Sequence, residues 1–205
     1  DIGSSAFYAN SLSSVVIPSA VDAISSSAFA YNSLTSVTLP TNLLTIGNWA
    51  FEHNQLASVV FPNSVTSIGQ DAFAYNNLSS VTIGNSVTVI KKEAFYVNQL
   101  PSLVIPDSVT TIEESAFDSN QLSSLTLGNS LATIGDDAFL HNQLTTVIFP
   151  ASIAGIGFAA FYDNAGLTDV VFLGAAPTTF SAAGVPYGSL GPPPGPPAAP
   201  APLTF

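Results

Sequence analysis

Cysteine and arginine are both absent from this chain, and lysine occurs only at Lys91 and Lys92. Without cysteine there is no disulfide framework, and thiol usage says nothing of the redox compartment. Thirteen acidic residues face two lysines, for a formal net charge of −11. A surface of that sign repels phosphate backbones, which are held by clustered Lys and Arg. Nucleic acid is therefore excluded as a partner, and anionic membrane surfaces are disfavoured on the same ground. Charged residues of both signs make up only 7 % of the chain, against roughly 25 % in an average protein. No apolar run reaches the about 18 residues that suggest a spanning helix, so no membrane insertion is expected. Asp1 already falls inside a repeat, and no signal peptide precedes it, so a mature or trimmed product is expected.

What the chain has in abundance is one phrase. Phe7, Phe29, Phe51, Phe73, Phe95, Phe117, Phe139 and Phe161 follow one another at a constant 22-residue step. Asn10, Asn32, Asn54, Asn76, Asn98, Asn120, Asn142 and Asn164 keep the same step, and an Ala precedes every one of these Phe residues. A fixed period of this length is the signature of a solenoid, in which each repeat buries its apolar face against its neighbours.

One repeat carries its own local instructions. In "LSSVTI", Leu78 to Ile83, the alternation from Ser80 onward predicts a short strand with Val81 and Ile83 inward. Pro18, Pro40, Pro62, Pro106 and Pro150 follow the strands, with Gly84 and Gly128 as exceptions, and end them at a corner. "SVTVI" then returns Val87 and Ile90 to the core. The residue before Ala-Phe is Ser5, Ser27, Asp71, Glu93, Ser115 or Asp137 in six copies. Ser and Asp suit an N-cap, which predicts a short helical or 3-10 turn that carries Phe inward. The expected fold is a leucine-rich-repeat-like solenoid of eight 22-residue coils, with Phe7 through Phe161 as an internal spine. Each Asn is expected to satisfy backbone groups at the turn and on adjacent coils.

The pattern L-x-x-V-x-I-P-x-x-V-x-x-I-x-x-x-A-F-x-x-N resembles the BspA-like class of leucine-rich repeats, over about residues 2–173. Two departures are Asn in place of the more usual Cys and a repeat one residue shorter than is common. The resemblance implies a bacterial or protist surface protein that adheres to or binds other molecules, without catalysis. It places the solenoid at residues 1–173 and an irregular closing coil at 174–190. "GPPPGPPAAPAP", within 191–205, is expected to be an extended polyproline II tail or linker.

Chemistry-bearing clusters are few. His53 and His141 share one column but lie four coils apart, about 19 Å at ~4.8 Å per coil. They cannot share a metal or a proton relay. No Ser sits in a nucleophile elbow. Lys91 with Glu113, and Lys92 with Glu114 and Asp136, are expected to pair along the stack as exposed ladders. A Ca²⁺ site at that acidic corner is the less favoured alternative. No cofactor is implied.

Two columns should face outward from the strands and form a candidate binding face: Ser36, Thr38, Ser58, Val60, Ser80, Thr82, Ser102, Val104, Ser124 and Thr126. The bare first coil and the apolar C-terminus suggest a candidate assembly edge at Ile2, Phe7, Ser14, Val16, Leu203 and Phe205. Two functions follow as expectations. One is a non-catalytic extracellular or cell-surface binding or adhesion module for a protein or glycan ligand. The other is a subunit that assembles with itself head to tail into a filament.

Overall fold

The computed structural model describes residues 1–175 and 177–180. Each repeat lays down two short strands. The first set is β1 (Ser14–Val16), β3 (Ser36–Thr38), β5 (Ser58–Val60), β7 (Ser80–Thr82), β9 (Ser102–Val104), β11 (Ser124–Thr126), β13 (Thr146–Phe149) and β15 (Asp169–Phe172). The second set is β2 (Ala23–Ile24), β4 (Thr45–Ile46), β6 (Ser67–Ile68), β8 (Val89–Ile90), β10 (Thr111–Ile112), β12 (Thr133–Ile134), β14 (Gly155–Ile156) and β16 (Thr179–Phe180).

Every pairing is parallel, and through most of the array the partners lie one repeat apart, as in Ile68 with Ile90 and Ile112 with Ile134. The second set forms one continuous eight-stranded sheet from β2 to β16. The first set does not: it breaks into the ladders β1–β3, β5–β7, β9–β11 and β13–β15. At one of the breaks, between β7 and β9, Pro101 stands where an N–H would be needed and has none to give. The array holds seven complete turns, from β1 to Asn164, between a partial turn at each end. Eight copies of the Ala-Phe corner thus make about seven turns rather than eight coils.

The corner itself is not helical. Among the described residues there is no helix of any kind. The residue before Ala-Phe, expected as an N-cap, instead takes a left-handed backbone in all eight copies, from Ser5 (φ 55°) to Ala159 (φ 51°). The residue before each Asn does the same, from Ala9 (φ 53°) to Asp163 (φ 53°). Ala94 N–H donates to Lys91 O and Tyr96 N–H to Glu93 O, which closes two successive tight turns. The positive φ at Glu93, third in the first turn, is the type II signature. Glu93, Phe95 and Val97 send their N–H groups to Glu114, Ala116 and Asp118 in the next repeat. Because alternate amides are spent on the neighbouring repeat, none is left to build a run of i to i−4 bonds, and a helix cannot form.

The Phe column is the core. Adjacent rings stack at centroid separations of 5.1–5.8 Å and within 16° of parallel. Phe29 to Phe161 are buried. Phe7 is not: it stacks on Phe29 by one face and is 43 % exposed. Phe61 and Phe149, at the ends of their strands, meet the spine edge-on. At Gly84 and Gly128, which stand in the Pro column, the backbone comes so near the preceding turn that a Cβ would lie 2.5 and 2.4 Å from the carbonyl oxygens of Pro62 and Pro106.

Each Asn amide holds the corner to the preceding repeat. Asn76 donates to Phe73 O of its own turn at 3.2 Å and to Phe51 O of the turn before at 2.9 Å, and accepts from Leu56 N–H at 3.0 Å. The same three bonds recur from Asn32 to Asn164, while Asn10, with no preceding turn, is exposed and reaches only Tyr8 O.

Three substitutions test this description. Phe73→Ala is expected to cost ~3–5 kcal/mol as a core cavity in denaturant unfolding. Asn76→Ala should cost ~1–3 kcal/mol, since it leaves buried backbone groups unpaired. Val97 is β-branched at φ 52°, a conformation that costs an L-residue about 1–2 kcal/mol. Val97→Asn, which tolerates that backbone, is therefore expected to raise the melting temperature.

Candidate binding faces

Three surfaces run the length of the solenoid. The first is the outward side of β1 to β15. Ser36, Thr38, Ser58, Val60, Ser80, Thr82, Ser102, Val104, Ser124 and Thr126 are all exposed there, as period-two alternation requires. The alternation has a second level. In β5, β9 and β13 the inward Val59, Leu103 and Val147 are buried, whereas Val37, Val81 and Leu125 of β3, β7 and β11 are only half-buried. Val60 and Val104, on the outward side of β5 and β9, are 66 % and 64 % exposed. A shallow cleft of about 340 Å³ opens where the β7 and β9 ladders part, lined by Ser80, Val81, Thr82, Ser102, Leu103 and Val104. Of the candidate assembly edge, Ile2 is half-buried against Ile24 through a parallel bridge, and Phe7, Ser14 and Val16 are exposed. Leu203 and Phe205 lie outside the described residues, as do the Pro-rich tail at 191–205 and most of the closing coil at 174–190.

The second surface is the continuous sheet β2 to β16. Its outward positions include Thr45, Ser67, Val89, Thr111 and Thr133, and the Thr133 hydroxyl lies 3.1 Å from that of Thr111. Sequence reasoning saw "SVTVI" only as a return to the core. The signal was there: a β-branched or hydroxyl residue stands before five of the seven inward Ile residues, from Thr45 to Thr133.

The third surface is the corner that flanks each Ala-Phe, where the charged groups gather. Lys91 Nζ and Glu113 are 2.9 Å apart, as are Lys92 Nζ and Glu114, so the lysines do pair along the stack. His53 is sandwiched between Tyr31 and Tyr75 at 4.5 and 4.3 Å. His141 Nδ1 lies 3.1 Å from buried Asp118 and its Nε2 lies 3.7 Å from Asp163. Among the described residues no group of three or more His, Asp or Glu side chains is placed to hold one metal ion, nor is any helix long and apolar enough to cross a membrane.

Burial pushes the carboxyls of Glu52, Glu93 and Asp137 above their usual range. Repulsion adds to each: from Glu93 at Glu52, from Asp71 at Glu93 beside a shared hydrogen bond, and from Asp118, Asp136 and Glu114 at Asp137. Lys92 partly offsets the effect at Glu93, as His141 does at Asp137.

These features define a class of protein: a parallel β-solenoid of leucine-rich-repeat type, helix-free among the described residues. Six copies of the BspA type leucine rich repeat region match residues 1–120 and 88–181. The chain belongs to the BspA-type leucine-rich repeat family. It is similar in structure to a leucine-rich repeat protein from Bacteroides ovatus, at 25 % identity and a TM-score of 0.71 over 84 % of this chain and 52 % of that one. It is also similar to one from Eubacterium ventriosum, at 22 % identity and a TM-score of 0.50 over 87 % of this chain and 58 % of that one. The chain thus spans little more than half the length of these relatives. No curated protein matches it.

The raised carboxyls set a sign for the pH dependence. For Glu52, Glu93 and Asp137 the folded-state pKa lies above the unfolded value, so the folded chain binds more protons between the two. Their contribution is fully present below the ordinary carboxylate pKa and is lost as pH rises through the raised values. Melting temperature should therefore increase as pH is lowered from neutral into the raised carboxyl range, and Glu93→Gln should flatten the profile. A melting temperature that falls over this window would contradict the assignment.

Proposed function

We propose that this chain is a non-catalytic binding module of an extracellular or cell-surface protein, and that it takes a protein or glycan ligand on the outward side of β1 to β15. Proteins of the leucine-rich-repeat family are typically binding modules without catalytic activity, and solenoids use their extended sheet surfaces in this way.

The observation that carries the reading is the exposed apolar file Val16, Val60, Val104 and Ile148, which alternates with Thr38, Thr82 and Thr126. Apolar β-branched side chains held in register along a face that needs none of them for its own core offer area to a partner. The face lacks the Trp, Tyr and Arg anchors that concentrate binding energy, so affinity comes from contact over many repeats.

Val60→Asp with Val104→Asp tests it against arrays of extracellular-matrix proteins and glycans. Both positions are exposed, so melting should be unchanged while capture of any ligand held by the wild type falls by about tenfold or more. Undiminished capture by the folded variant would overturn this choice of face.

A further inference from the structure

The corner after each buried Phe carries a run of aromatic rings that the core does not use. Tyr8, Tyr31, His53 and Tyr75 stand in file, with ring centroids 5.5, 4.5 and 4.3 Å apart. Tyr96 closes the file edge-on to Tyr75 at 5.3 Å. Tyr31 and Tyr75 remain 44 % and 39 % exposed, and the His53 side chain is 39 % exposed. In later repeats the His53 column holds Val97, Ser119, His141 and Asp163, so the aromatic patch is confined to the first five repeats. The β-turns of the corner need no aromatic residue there, since Val97, Ser119 and Asp163 take the same left-handed backbone without one.

Carboxylates flank the file. Glu52 Oε1 lies 3.9 Å from His53 Nε2, no Lys stands within salt-bridge range of it among the described residues, and its side chain is 16 % exposed. Glu93 stands beside Asp71 and is 3.6 Å from Lys92 Nζ, which already pairs with Glu114 at 2.9 Å. Asp118 approaches Tyr96 from the next repeat. Burial raises both carboxyls, with added repulsion from Glu93 at Glu52 and from Asp71 at Glu93. The patch is therefore aromatic, short of positive charge, and holds carboxylates partly withdrawn from water. A Lys or Arg side chain fits both halves of that description. Its methylene stem packs along ring edges while its head meets a carboxylate, and a guanidinium can also engage an aromatic ring. A neutral or acidic segment satisfies only one half, or neither.

We propose that the file Tyr31, His53, Tyr75 and Tyr96, with Glu52 and Glu93, is a docking surface for an extended segment of a partner protein rich in Arg and Lys. The proposal rests on the binding-module reading and adds to it a second surface and the chemistry of its occupant. Four repeats at ~4.8 Å spacing give a file of roughly 15 Å, matched by an extended segment of about five residues.

The test uses the full chain and fluorescein-labelled octapeptides, one Arg/Lys-rich, one Glu-rich and one uncharged, followed by anisotropy at low and moderate salt. The basic peptide should bind and the other two should not. Glu52→Gln with Glu93→Gln, and separately Tyr31→Ser with Tyr75→Ser, should each weaken binding by about tenfold. Asp22→Asn with Asp107→Asn removes the same charge at exposed positions elsewhere and should leave the affinity within about twofold. Equal losses in the two charge variants would show that binding follows net charge alone, and overturn the proposal. Full binding by the folded Tyr variant, or none by the wild type, would overturn it as well. A readout that needs no variant is the His53 ring resonance in the wild-type chain, which should shift on titration with the basic peptide and stay put if the file takes no part. Val60→Asp with Val104→Asp should bind the peptide normally, so failure of either surface leaves the other standing.

Discussion

A side-chain amide that reaches back one turn is the interaction on which the rest of this solenoid depends. Asn54, Asn76, Asn98, Asn120, Asn142 and Asn164 are buried polar groups in a core otherwise made of Phe, Leu, Ile, Val and Ala. Each is tolerable there because its oxygen and nitrogen both find backbone partners, two of them in the preceding repeat. The bonds require the same residue at the same height in successive turns, which holds the step constant from Asn10 to Asn164. Once the step is held, every column stacks on itself, and the Phe spine, the parallel ladders and the paired lysines follow from that stacking.

The corner stores strain that this stacking offsets. Among the described residues, sixteen non-glycine residues have φ between 51° and 57°, two at each Ala-Phe corner, including Trp49, Val97 and His53. An L-residue adopts that backbone only where its surroundings over-determine it. Here the N–H of most such residues donates to the next repeat, as Tyr31 does to Glu52 O and Tyr75 to Tyr96 O. Glycine, which would sit there without strain, is used elsewhere: at Gly84 and Gly128 it allows close approach to a carbonyl of the preceding turn. Apart from buried Asp71 and Ala159, the residues at the strained positions are at least partly exposed, which frees them to vary. One column therefore holds Tyr31, His53, Tyr75, Val97 and Asp163 on a single backbone conformation.

The two sets of strands differ in continuity. The eight-stranded sheet β2 to β16 is unbroken and buries one Ile per turn from Ile24 to Ile156. The opposite set is split into pairs, exposes Val60 and Val104, and leaves a cleft between β7 and β9. A continuous ladder on one side keeps the repeats aligned, so the other side can carry side chains and openings chosen for something other than the core.

The amino-acid sequence by itself determined the period, the inward columns and the family. Phe, Asn, Leu and Ala recur at one spacing, and a residue that must be buried in every turn leaves a mark in every repeat. The outward Ser36, Thr38, Val60 and Val104 were legible for the same reason, because strand alternation is a local rule. Only the tertiary structure decided the corner, the sheets and the aromatic file. Ser and Asp before Ala-Phe suit an N-cap locally, yet the amides that a helix would use are taken by the neighbouring repeat, a contact too distant along the chain for any local propensity to register. The split of the β1 to β15 face likewise depends on what lies in the adjacent turn. So does the meeting of Glu52 with Tyr31, His53 and Glu93, which stand in three different repeats and share a surface only after the stack has formed.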